Sequence, residues 1–409
     1  MLSIIKENKP MTIDNSLMAT NLLCVGRFHH FHLARQLEKH GLLKEIWSGF
    51  PRFALKSEEG IPSKKIHTFP WLQALYMAKG RFGIKTSAAL DLEWQWLSHI
   101  LLDKYVSKHI NPTGTLIALS GSGLKCGQVT KKNGGRYFCD RGSSHIRFQD
   151  NILREEHDRW KLPYTSIDPR MVAREEEEYE LADYVSVPSS FVADSFVEMG
   201  YQRDKLFLNP YGARLERFYS MAEPATDEFT IIFVGQISLR KGFLYLLEAF
   251  NRLKHPHKQL KVIGSIAENI KPLLKNYDLT KVKFLGVVNN QQLIQHYNAS
   301  HVMVLPSIEE GLSMVIGEAL ACGCPVIATE NTGASDFFTN GIEGFIIPPR
   351  SVSHLVYHLE ELIHDETLRQ RMAIAAVSKV KTIGGWDAYG LRWARRLLTT
   401  GNGKLGAIA

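Results

Sequence analysis

The chain has 409 residues, more than one hydrophobic core usually serves, so two domains are expected. Hydrophobic residues make up 44% and charged residues 22%, which excludes a disordered or collagen-like chain. The net charge of +7 is uneven, because residues 1–150 carry 21 Lys and Arg against 11 Asp and Glu. This excess indicates either a plain basic surface or an anionic partner, such as a phosphorylated acceptor, a lipid head group or a membrane. No helix-turn-helix, zinc-finger or aromatic RNA-binding motif is present, so nucleic acid is not expected.

The cysteines do not form a recognisable metal or disulfide framework. Their number is odd, and only the last two lie close together, at positions 24, 126, 139, 322 and 324. We therefore expect free thiols in a reducing cytosol. Residues 1–15 lack the long apolar core of a secretory signal, which also favours a cytoplasmic protein.

Apolar runs alternate with amphipathic segments along the chain, which predicts an α/β fold with parallel sheets. In the first half, strands are expected at 21–25, 115–119, 136–139, 184–187 and 206–212, and helices at 31–40 and 170–182. The acidic run 175–178 is expected on a solvent-exposed helix face. Ser189 is expected to cap a helix that runs to Met199.

The second half repeats the pattern after an expected linker at 211–227. Strands are expected at 229–234, 260–263, 283–285, 302–305, 326–328 and 344–347, each followed by a helix. The sequence therefore predicts two Rossmann-like, doubly wound units.

Two glutamates, Glu310 and Glu318, follow the strand expected at 302–305. The carboxyl edge of a parallel sheet faces the ligand in such folds, so Glu310 would lie at the ligand-binding edge. Eight residues of helix span about 12 Å, which lets the two carboxylates accept hydrogen bonds at opposite ends of one ligand. Gly311 would let a ligand approach the backbone, and the following helix would direct its N-terminus at an anion.

A glycine loop, residues 235–242, follows the strand expected at 229–234 and precedes a helix. It carries Gly235 and Gln236 and then the adjacent cations Arg240 and Lys241. Two cations beside a helix N-terminus suit a pyrophosphate, whose charge grows when it leaves a sugar.

The segment 308–325 resembles the motif of retaining glycosyltransferases of family 4, in which two glutamates with seven residues between them precede an Ala-x-Ala-x-Gly-x-Pro-Val turn. The resemblance implies a GT-B fold, with two Rossmann-like domains facing a cleft. It implies that Glu310 contacts the donor sugar and Glu318 the nucleotide ribose. It also implies that the backbone of Gly311, Leu312 and Ser313 approaches the sugar and the phosphates.

The same resemblance assigns roles to the other loops. Lys241 matches the family's lysine, but Gln236 stands where the family usually has arginine; we hypothesise that Arg240 supplies the missing charge. A loop histidine beside the reacting sugar corresponds to His145 or, in another alignment, to Arg141. The resemblance thus implies catalytic roles for His145, Lys241 and Glu310, to which we add Arg240 by the hypothesis above. The expected donor-binding residues are Gly235, Gln236, Arg240, Lys241, Glu310, Gly311, Leu312, Ser313 and Glu318.

The first domain is expected to bind the acceptor. Its first loop and the 140–145 loop offer candidate contacts at Gly26, Arg27, His29, His30 and Arg141. The expected division is an acceptor-binding domain at 1–215, a nucleotide-sugar domain at 216–385 and a returning C-terminal helix at 386–409.

The resemblance implies transfer of a sugar from a nucleoside-diphosphate sugar to a saccharide or lipid-linked acceptor, with retention, in cell-envelope or extracellular polysaccharide synthesis. No cofactor or metal is expected, because no Asp-x-Asp pair occurs in the sequence. Trp71, Leu72, Tyr76 and the basic stretch 79–85 favour peripheral membrane association. One alternative is an inactive nucleotide-sugar-binding partner subunit, favoured by Gln236. Another is an NAD-dependent dehydrogenase, but Gly26 stands without the other two glycines of its phosphate loop.

Overall fold

The computed structural model describes residues 19–56, 58–79, 83, 86–212, 217–221, 223–225 and 227–399. The expected terminus 1–15, most of the basic stretch 79–85 and parts of the linker 211–227 lie outside these residues. The chain divides into two compact units. Unit 1 comprises residues 1–138, 181–183 and 390–409, and unit 2 comprises residues 139–180 and 184–389.

Thirteen strands form two sheets within the described residues, and every pairing between neighbouring strands that can be described is parallel. The first sheet has the order β3-β2-β1-β4-β5-β6-β7 and the second β10-β9-β8-β11-β12-β13. The strands are β1 (Thr20–Cys24), β2 (Leu43–Ser48), β3 (Ile66–Thr68), β4 (Thr115–Leu119), β5 (Arg136–Asp140), β6 (Tyr184–Val187), β7 (Leu206–Leu208), β8 (Phe229–Val234), β9 (Lys258–Ile263), β10 (Val282–Gly286), β11 (Val302–Leu305), β12 (Val326–Thr329) and β13 (Gly344–Ile347).

Helices connect the strands, as parallel pairing requires. They are α1 (His30–Lys39), α2 (Gln73–Ala78), α3 (Ala88–Val106), α4 (Leu124–Lys132), α5 (Ile146–Arg159), α6 (Pro169–Leu181), α7 (Ser190–Glu198), α8 (Phe243–Arg252), α9 (Lys271–Leu274), α10 (Asn290–Asn298), α11 (Met314–Ala321), α12 (Val352–His364), α13 (Glu366–Ile383) and α14 (Trp386–Thr399). No helix in the described part of the chain is both long and apolar enough to cross a membrane.

The predicted α/β fold with two doubly wound parallel sheets is confirmed. Strands β8, β11 and β13 have the predicted bounds, and the Ser189 hydroxyl caps α7 by accepting from Val192 N at 3.2 Å. The strand expected at 206–212 ends earlier, at Leu208.

The expected exposure of the acidic run 175–178 is wrong for two of its members. Glu175 and Glu178 are buried, because each carboxylate meets a cation. Arg141 approaches Glu175 at 2.9 Å, and Arg174 approaches Glu178 at 3.5 Å. A buried carboxylate without such a partner would be strongly destabilising.

Unit 1 is built around β1, which is buried along its whole length between β2 and β4. The residues of α14 from Gly390 onward belong to this unit. There the Trp393 ring meets the edge of Phe138 with centroids 5.4 Å apart, and Arg136 donates to the Leu397 carbonyl at 3.1 Å. The functional division of the chain near residue 215 stays a prediction.

Unit 2 contains the second sheet, whose strand order reverses between β8 and β11. The strands β8 and β11 are fully buried on both faces, and α8 and α12 pack against each other beside the sheet. Ligands of doubly wound sheets bind outside the carboxyl ends of the strands at such a reversal. The loops that follow β8 and β11 are therefore the expected ligand-binding region of unit 2.

Gly242, in the loop after β8, packs against Pro306 in the loop after β11. It begins α8 with a φ of +64°, and an added Cβ would lie well inside the contact distance of the Pro306 carbonyl oxygen. We expect Gly242→Ala to lower the free energy of unfolding by about 3 kcal/mol or more, from backbone strain together with the close contact. Urea unfolding measures this.

Gly341 provides the matched control for that measurement. Its φ is +81°, but an added Cβ would meet nothing within 4 Å. Gly341→Ala should therefore show only the backbone strain, about 1 kcal/mol. Equal losses in the two variants would contradict the close packing of Gly242 against Pro306.

Candidate functional site

The candidate donor site lies at the strand-order reversal of unit 2, in the loops after β8 and β11. The two loops are joined by a backbone hydrogen bond from Ile308 N to the Arg240 carbonyl, 2.8 Å long. Residues after β12 support the second loop, since Glu310 N donates to the Asn331 carbonyl at 3.0 Å and Ser313 N to the Thr332 carbonyl at 3.2 Å. The predicted motif residues are thus held in one place by the backbone itself.

Lys241 and Glu310 form an ion pair between these loops. Both side chains are largely buried, with 17% of Lys241 and 11% of Glu310 exposed. The structure therefore brings together the cation and the carboxylate that the sequence singled out. Such a pair is preorganised for a ligand that carries both an anion and hydroxyl groups.

The N-terminus of α11 begins immediately beside this pair. In the described part of the chain, the backbone N–H groups of Gly311, Leu312 and Met314 have no hydrogen-bond acceptor. The Leu312 side chain is buried, and Ser313 occupies the N-cap position of α11 without a side-chain capping bond. Free N–H groups at a helix start, together with the helix dipole, favour an anion at this position.

Arg240 is anchored by Glu309, a fully buried carboxylate that precedes Glu310. The guanidinium Nε of Arg240 donates to the Glu309 carboxylate at 2.8 Å and to its carbonyl at 3.1 Å. Glu309 also accepts from Ser144 N at 3.1 Å, from Ser144 Oγ at 2.7 Å and from Gln149 Nε2 at 2.9 Å. We call these four residues the Glu309 cluster.

The Glu309 cluster keeps its carboxylate ionised. Burial alone would raise the pKa of Glu309, but the charge of Arg240 and the hydrogen bonds from Gln149 and Ser144 outweigh burial and lower it. Burial likewise works against the charge on Arg240, yet Glu309 and Glu310 raise its pKa. Both groups are therefore charged over the whole neutral range.

Gly311 is in contact with the segment that precedes α5. An added Cβ would fall onto the Gly142 carbonyl oxygen, so no other residue fits here without a backbone shift. The Ser189 hydroxyl also donates to the Gly311 carbonyl at 2.5 Å. The turn after Glu310 is thus fixed from two sides within unit 2.

Glu318 lies on α11, whose residues 316–321 are all buried. Its carboxylate accepts a hydrogen bond from the Tyr297 hydroxyl at 3.4 Å, and only 8% of the residue is exposed. Burial followed by the charge of Glu318 holds the pKa of Tyr297 well above its ordinary range, so the phenol keeps its proton. Tyr297 is therefore a fixed donor that orients Glu318.

Gln236 and Gly235 lie at the end of β8. Gln236 is exposed, and its side chain forms no hydrogen bond within the described residues. Gly235 has a φ of +152°, and an added Cβ would lie 3.9 Å from Lys241 Nζ. Gln236 is consequently free to turn toward a ligand, whereas Lys241 is held beside Gly235.

His145 occupies a buried aromatic environment. Its Nδ1 accepts from Arg147 N at 3.2 Å and so caps α5, and its ring lies 4.9 to 5.3 Å from the rings of Tyr179, Phe196 and Tyr201. Burial lowers the pKa of His145 to about 4, so the imidazole is neutral at neutral pH. Its predicted position beside the reacting sugar stays a prediction, and a neutral ring could act there only as a hydrogen-bonding group.

Arg141 forms several polar contacts with residues of unit 2. It contacts Glu175 at 2.9 and 3.2 Å, donates from Nε to the Ser144 carbonyl at 3.0 Å and from Nη2 to Gln149 at 2.9 Å. Burial opposes its charge, but Glu175 and other neighbours raise its pKa. These contacts hold the loop that carries Ser144, and the predicted acceptor contact of Arg141 stays a prediction.

The remaining acceptor candidates belong to unit 1. Gly26 and His30 are buried, His29 is half-buried and begins α1, and Arg27 is exposed. The Arg27 guanidinium pairs with the buried carboxylate of Glu58. These four residues follow the carboxyl end of β1, as predicted, and their role in acceptor binding stays a prediction.

Besides Glu175 and Glu178, sequence reasoning missed two further buried carboxylates of unit 2. One is Glu309, and the other is Glu156 of α5, which accepts from Tyr245 and Trp160 at 2.8 Å and from Arg350 at 2.7 Å. Both are hidden in the sequence because all of their partners except Trp160 stand 69 to 194 residues away. One signal could have revealed Glu309. It stands beside Glu310 directly after a buried apolar strand, where a second carboxylate needs a cation to compensate its charge.

Comparison with known proteins agrees with this geometry. Residues 220–379 match the family model described as glycosyl transferases group 1. The capsular polysaccharide biosynthesis glycosyltransferase CapM of Staphylococcus aureus is 36% identical over 154 residues, 35% of this chain and 39% of CapM. The lipopolysaccharide 1,2-N-acetylglucosaminetransferase of Salmonella typhimurium is 28% identical over 54% of this chain and 58% of the enzyme. The chain spans about half the length of the curated relatives it matches.

Solved structures extend the likeness over the fold. A sucrose-phosphate synthase from Thermosynechococcus elongatus superposes with a TM-score of 0.67 at 20% identity, covering 94% of this chain and all of that one. Anabaena HepE in complex with UDP and glucose gives a TM-score of 0.65 at 16% identity, covering 93% and 99%. At these identities the likeness shows the fold, which is GT-B. The segment that matches the group 1 glycosyl transferase model, residues 220–379, holds the Lys241–Glu310 pair and α11.

Proposed function

We propose that this chain is a retaining glycosyltransferase that moves a sugar from a nucleoside-diphosphate sugar to a saccharide or lipid-linked acceptor. The observation that carries the proposal is the buried Lys241–Glu310 pair beside free N–H groups of α11, at the strand-order reversal of the second sheet. This combination offers a cation and a helix N-terminus for a diphosphate, and a carboxylate for sugar hydroxyls.

In the proposed complex, the donor exchanges the internal pair for its own groups. Lys241 turns from Glu310 to the diphosphate, and Glu310 becomes free to accept hydrogen bonds from the sugar. The family usually has arginine at the position of Gln236. In this chain Arg240, which Glu309 holds in the same loop, supplies that positive charge. Glu318 accepts hydrogen bonds from the ribose, with Tyr297 fixing its orientation.

The proposed reaction needs no protein nucleophile. The bond between the anomeric carbon and the diphosphate breaks, and the acceptor oxygen attacks from the same face. The departing diphosphate takes the acceptor proton, and Lys241, Arg240 and the α11 N-terminus stabilise the negative charge that it gains. We propose that these protein groups serve without a divalent metal, because the sequence lacks the Asp-x-Asp pair that would hold one.

A direct test is release of nucleoside diphosphate from UDP-, GDP-, ADP- and dTDP-sugars, with and without added saccharide acceptors and with EDTA present. The proposal expects one base to support turnover, stimulated by acceptor and insensitive to EDTA. The product should keep the anomeric configuration of the donor, which NMR of the glycoside reads directly. An inverted product would contradict the retaining reaction alone.

The second candidate function is a nucleotide-sugar-binding partner subunit without activity. The exposed Gln236 in place of arginine favours it, because one cation is missing from the phosphate loop. This candidate expects donor binding without release of diphosphate from any sugar nucleotide. Introducing the charge by Gln236→Arg should then leave turnover absent, whereas an enzyme of reduced activity should gain rate.

Glu318 gives a prediction for the ribose contact. We expect Glu318→Gln to weaken binding of the preferred nucleoside diphosphate about 10- to 100-fold, since a hydrogen bond to a charged group contributes roughly 1.5–3 kcal/mol. Isothermal titration of UDP, GDP, ADP and dTDP into wild type and variant measures the ratio. Glu360→Gln, an exposed change on α12, is the control and should leave affinity unchanged. Equal affinities of wild type and Glu318→Gln would remove Glu318 from the site.

The setting that we propose is the cytoplasm, at the inner face of the membrane, in synthesis of cell-envelope or extracellular polysaccharide. All five cysteines are buried and none forms a disulfide bond, which suits a reducing compartment. The names of CapM and the Salmonella transferase point to such polysaccharides for those proteins. Acceptor binding by unit 1 is part of the proposal.

A further inference from the structure

We propose that unit 1 docks on an anionic lipid surface through the exposed apolar residues of α2 and α3. This inference rests on the proposed function for its biological setting, because a lipid-linked acceptor would lie in the same bilayer. The surface consists of Trp71, Leu75, Leu90, Leu97 and Leu101, which are 71, 60, 51, 43 and 38% exposed. We call it the α2–α3 surface.

The leucines of α3 form one continuous stripe. Leu90, Leu97 and Leu101 are separated by seven and four residues, so they lie on one face of the helix. Trp94 lies within the same stripe, and its indole N–H donates to the Leu72 carbonyl at 3.1 Å. The stripe therefore adjoins the segment that leads into α2, where Trp71 and Leu75 are exposed.

Polar contacts and the contact between the Tyr76 and Trp94 rings link α2 to α3, while the five apolar residues of the α2–α3 surface stay exposed. Gln95 donates to the Tyr76 hydroxyl at 2.8 Å, and Lys79 pairs with Asp91 while also contacting Thr86 at 2.9 Å. No residue of α2 is buried. A helix that has no fully buried residue and that exposes large apolar side chains indicates an interaction surface.

Charge identifies the partner as an anionic surface. Unit 1 carries 23 Lys and Arg against 10 Asp and Glu, a net +13, whereas unit 2 carries 26 against 32, a net −6. Exposed Lys104 and Lys108 stand at the carboxyl end of α3, below the leucine stripe. Apolar side chains with a tryptophan and flanking lysines are suited to the interface of a negatively charged bilayer.

The same charge disfavours a second copy of the chain as the occupant. A symmetric dimer through the α2–α3 surface would place two units of net +13 against each other. A lipid surface instead combines the apolar burial with attraction for the cations. Nucleic acid would leave the five apolar side chains without a partner.

The test is flotation of the full chain with vesicles of phosphatidylcholine containing 30% phosphatidylglycerol, and with pure phosphatidylcholine vesicles. We expect binding to the anionic vesicles that weakens as NaCl is raised, and at least tenfold weaker binding to pure phosphatidylcholine. Leu75→Ser combined with Leu97→Ser should lower the affinity for anionic vesicles at least tenfold. Both side chains are exposed, so the fold should tolerate the changes.

The matched control places the same changes on unit 2. Tyr357→Ser combined with Ile374→Ser alters side chains that are 64 and 73% exposed and should leave vesicle binding unchanged. Absence of wild-type binding, or equal losses in the two double variants, would overturn the proposal. A dimer in vesicle-free solution that the Leu75/Leu97 variant abolishes would do so as well. Donor affinity, measured on the same variants, should stay unchanged and separates this outcome from failure of the proposed function.

Discussion

Replacing Glu309 by alanine should lower the free energy of unfolding by about 3–5 kcal/mol, the largest stability loss that we expect in unit 2. The change leaves Ser144 and Gln149 without their shared acceptor and leaves Arg240, itself mostly buried, without its counter-charge. Glu309→Gln keeps the shape and one acceptor oxygen and should cost less than half as much. Urea unfolding at neutral pH measures both.

The pH dependence of that loss gives a sharper check. The pKa of folded Glu309 lies below its ordinary value of 4.5, so its contribution is complete above that pH and is lost as the pH falls through the folded pKa. The difference between wild type and Glu309→Ala should therefore shrink in acid.

The control for Glu309 is Glu268→Ala. It removes an exposed pair with Lys271 and should cost less than about 1 kcal/mol. A loss of this small size for Glu309→Ala would contradict the Glu309 cluster.

Replacing Lys241 by alanine should lower kcat about 10²- to 10³-fold, the largest effect on turnover that we expect. Lys241 meets a charge that grows as the diphosphate departs, so its contribution is greater in the transition state than in the bound donor. KM for the donor should therefore change much less than kcat. Initial rates of diphosphate release, measured below the melting temperature of each variant, provide both constants.

Two variants show whether charge or structure causes the effect of Lys241. Lys241→Arg keeps the cation and should retain more turnover than alanine. Lys241→Ala combined with Glu310→Gln removes both charges of the pair, so it should recover stability but not turnover. Recovery of kcat in that double variant would show that Lys241 only neutralises Glu310.

Local patterns in the sequence predicted much of the fold and the positions of the candidate donor-site residues. The strand β11 is an uninterrupted apolar run and β8 is apolar except at Thr230, so the bounds of both could be predicted from the sequence. The positions of Lys241 and Glu310 followed from their places just after those strands, because parallel strands end at one edge of the sheet.

What the sequence could not predict depends on contacts between distant residues. Glu309 and Ser144 are 165 residues apart, and no local pattern marks them as partners. The burial of Glu175 was missed for the same reason, since an acidic run usually lies in solvent unless a remote arginine neutralises it. The sequence placed His145 in a loop but did not show that aromatic rings of α6 and α7 pack against it.

The central claim is that the loops after β8 and β11 bind a nucleoside-diphosphate sugar. The most direct measurement is thermal unfolding of the wild-type chain with each of a panel of UDP-, GDP-, ADP- and dTDP-sugars. A ligand at 100 times its Kd stabilises the native state by about 2.7 kcal/mol, so one base should raise the Tm by several degrees, and Glu318→Ala should abolish the rise. A Tm that none of the four classes raises would contradict the claim.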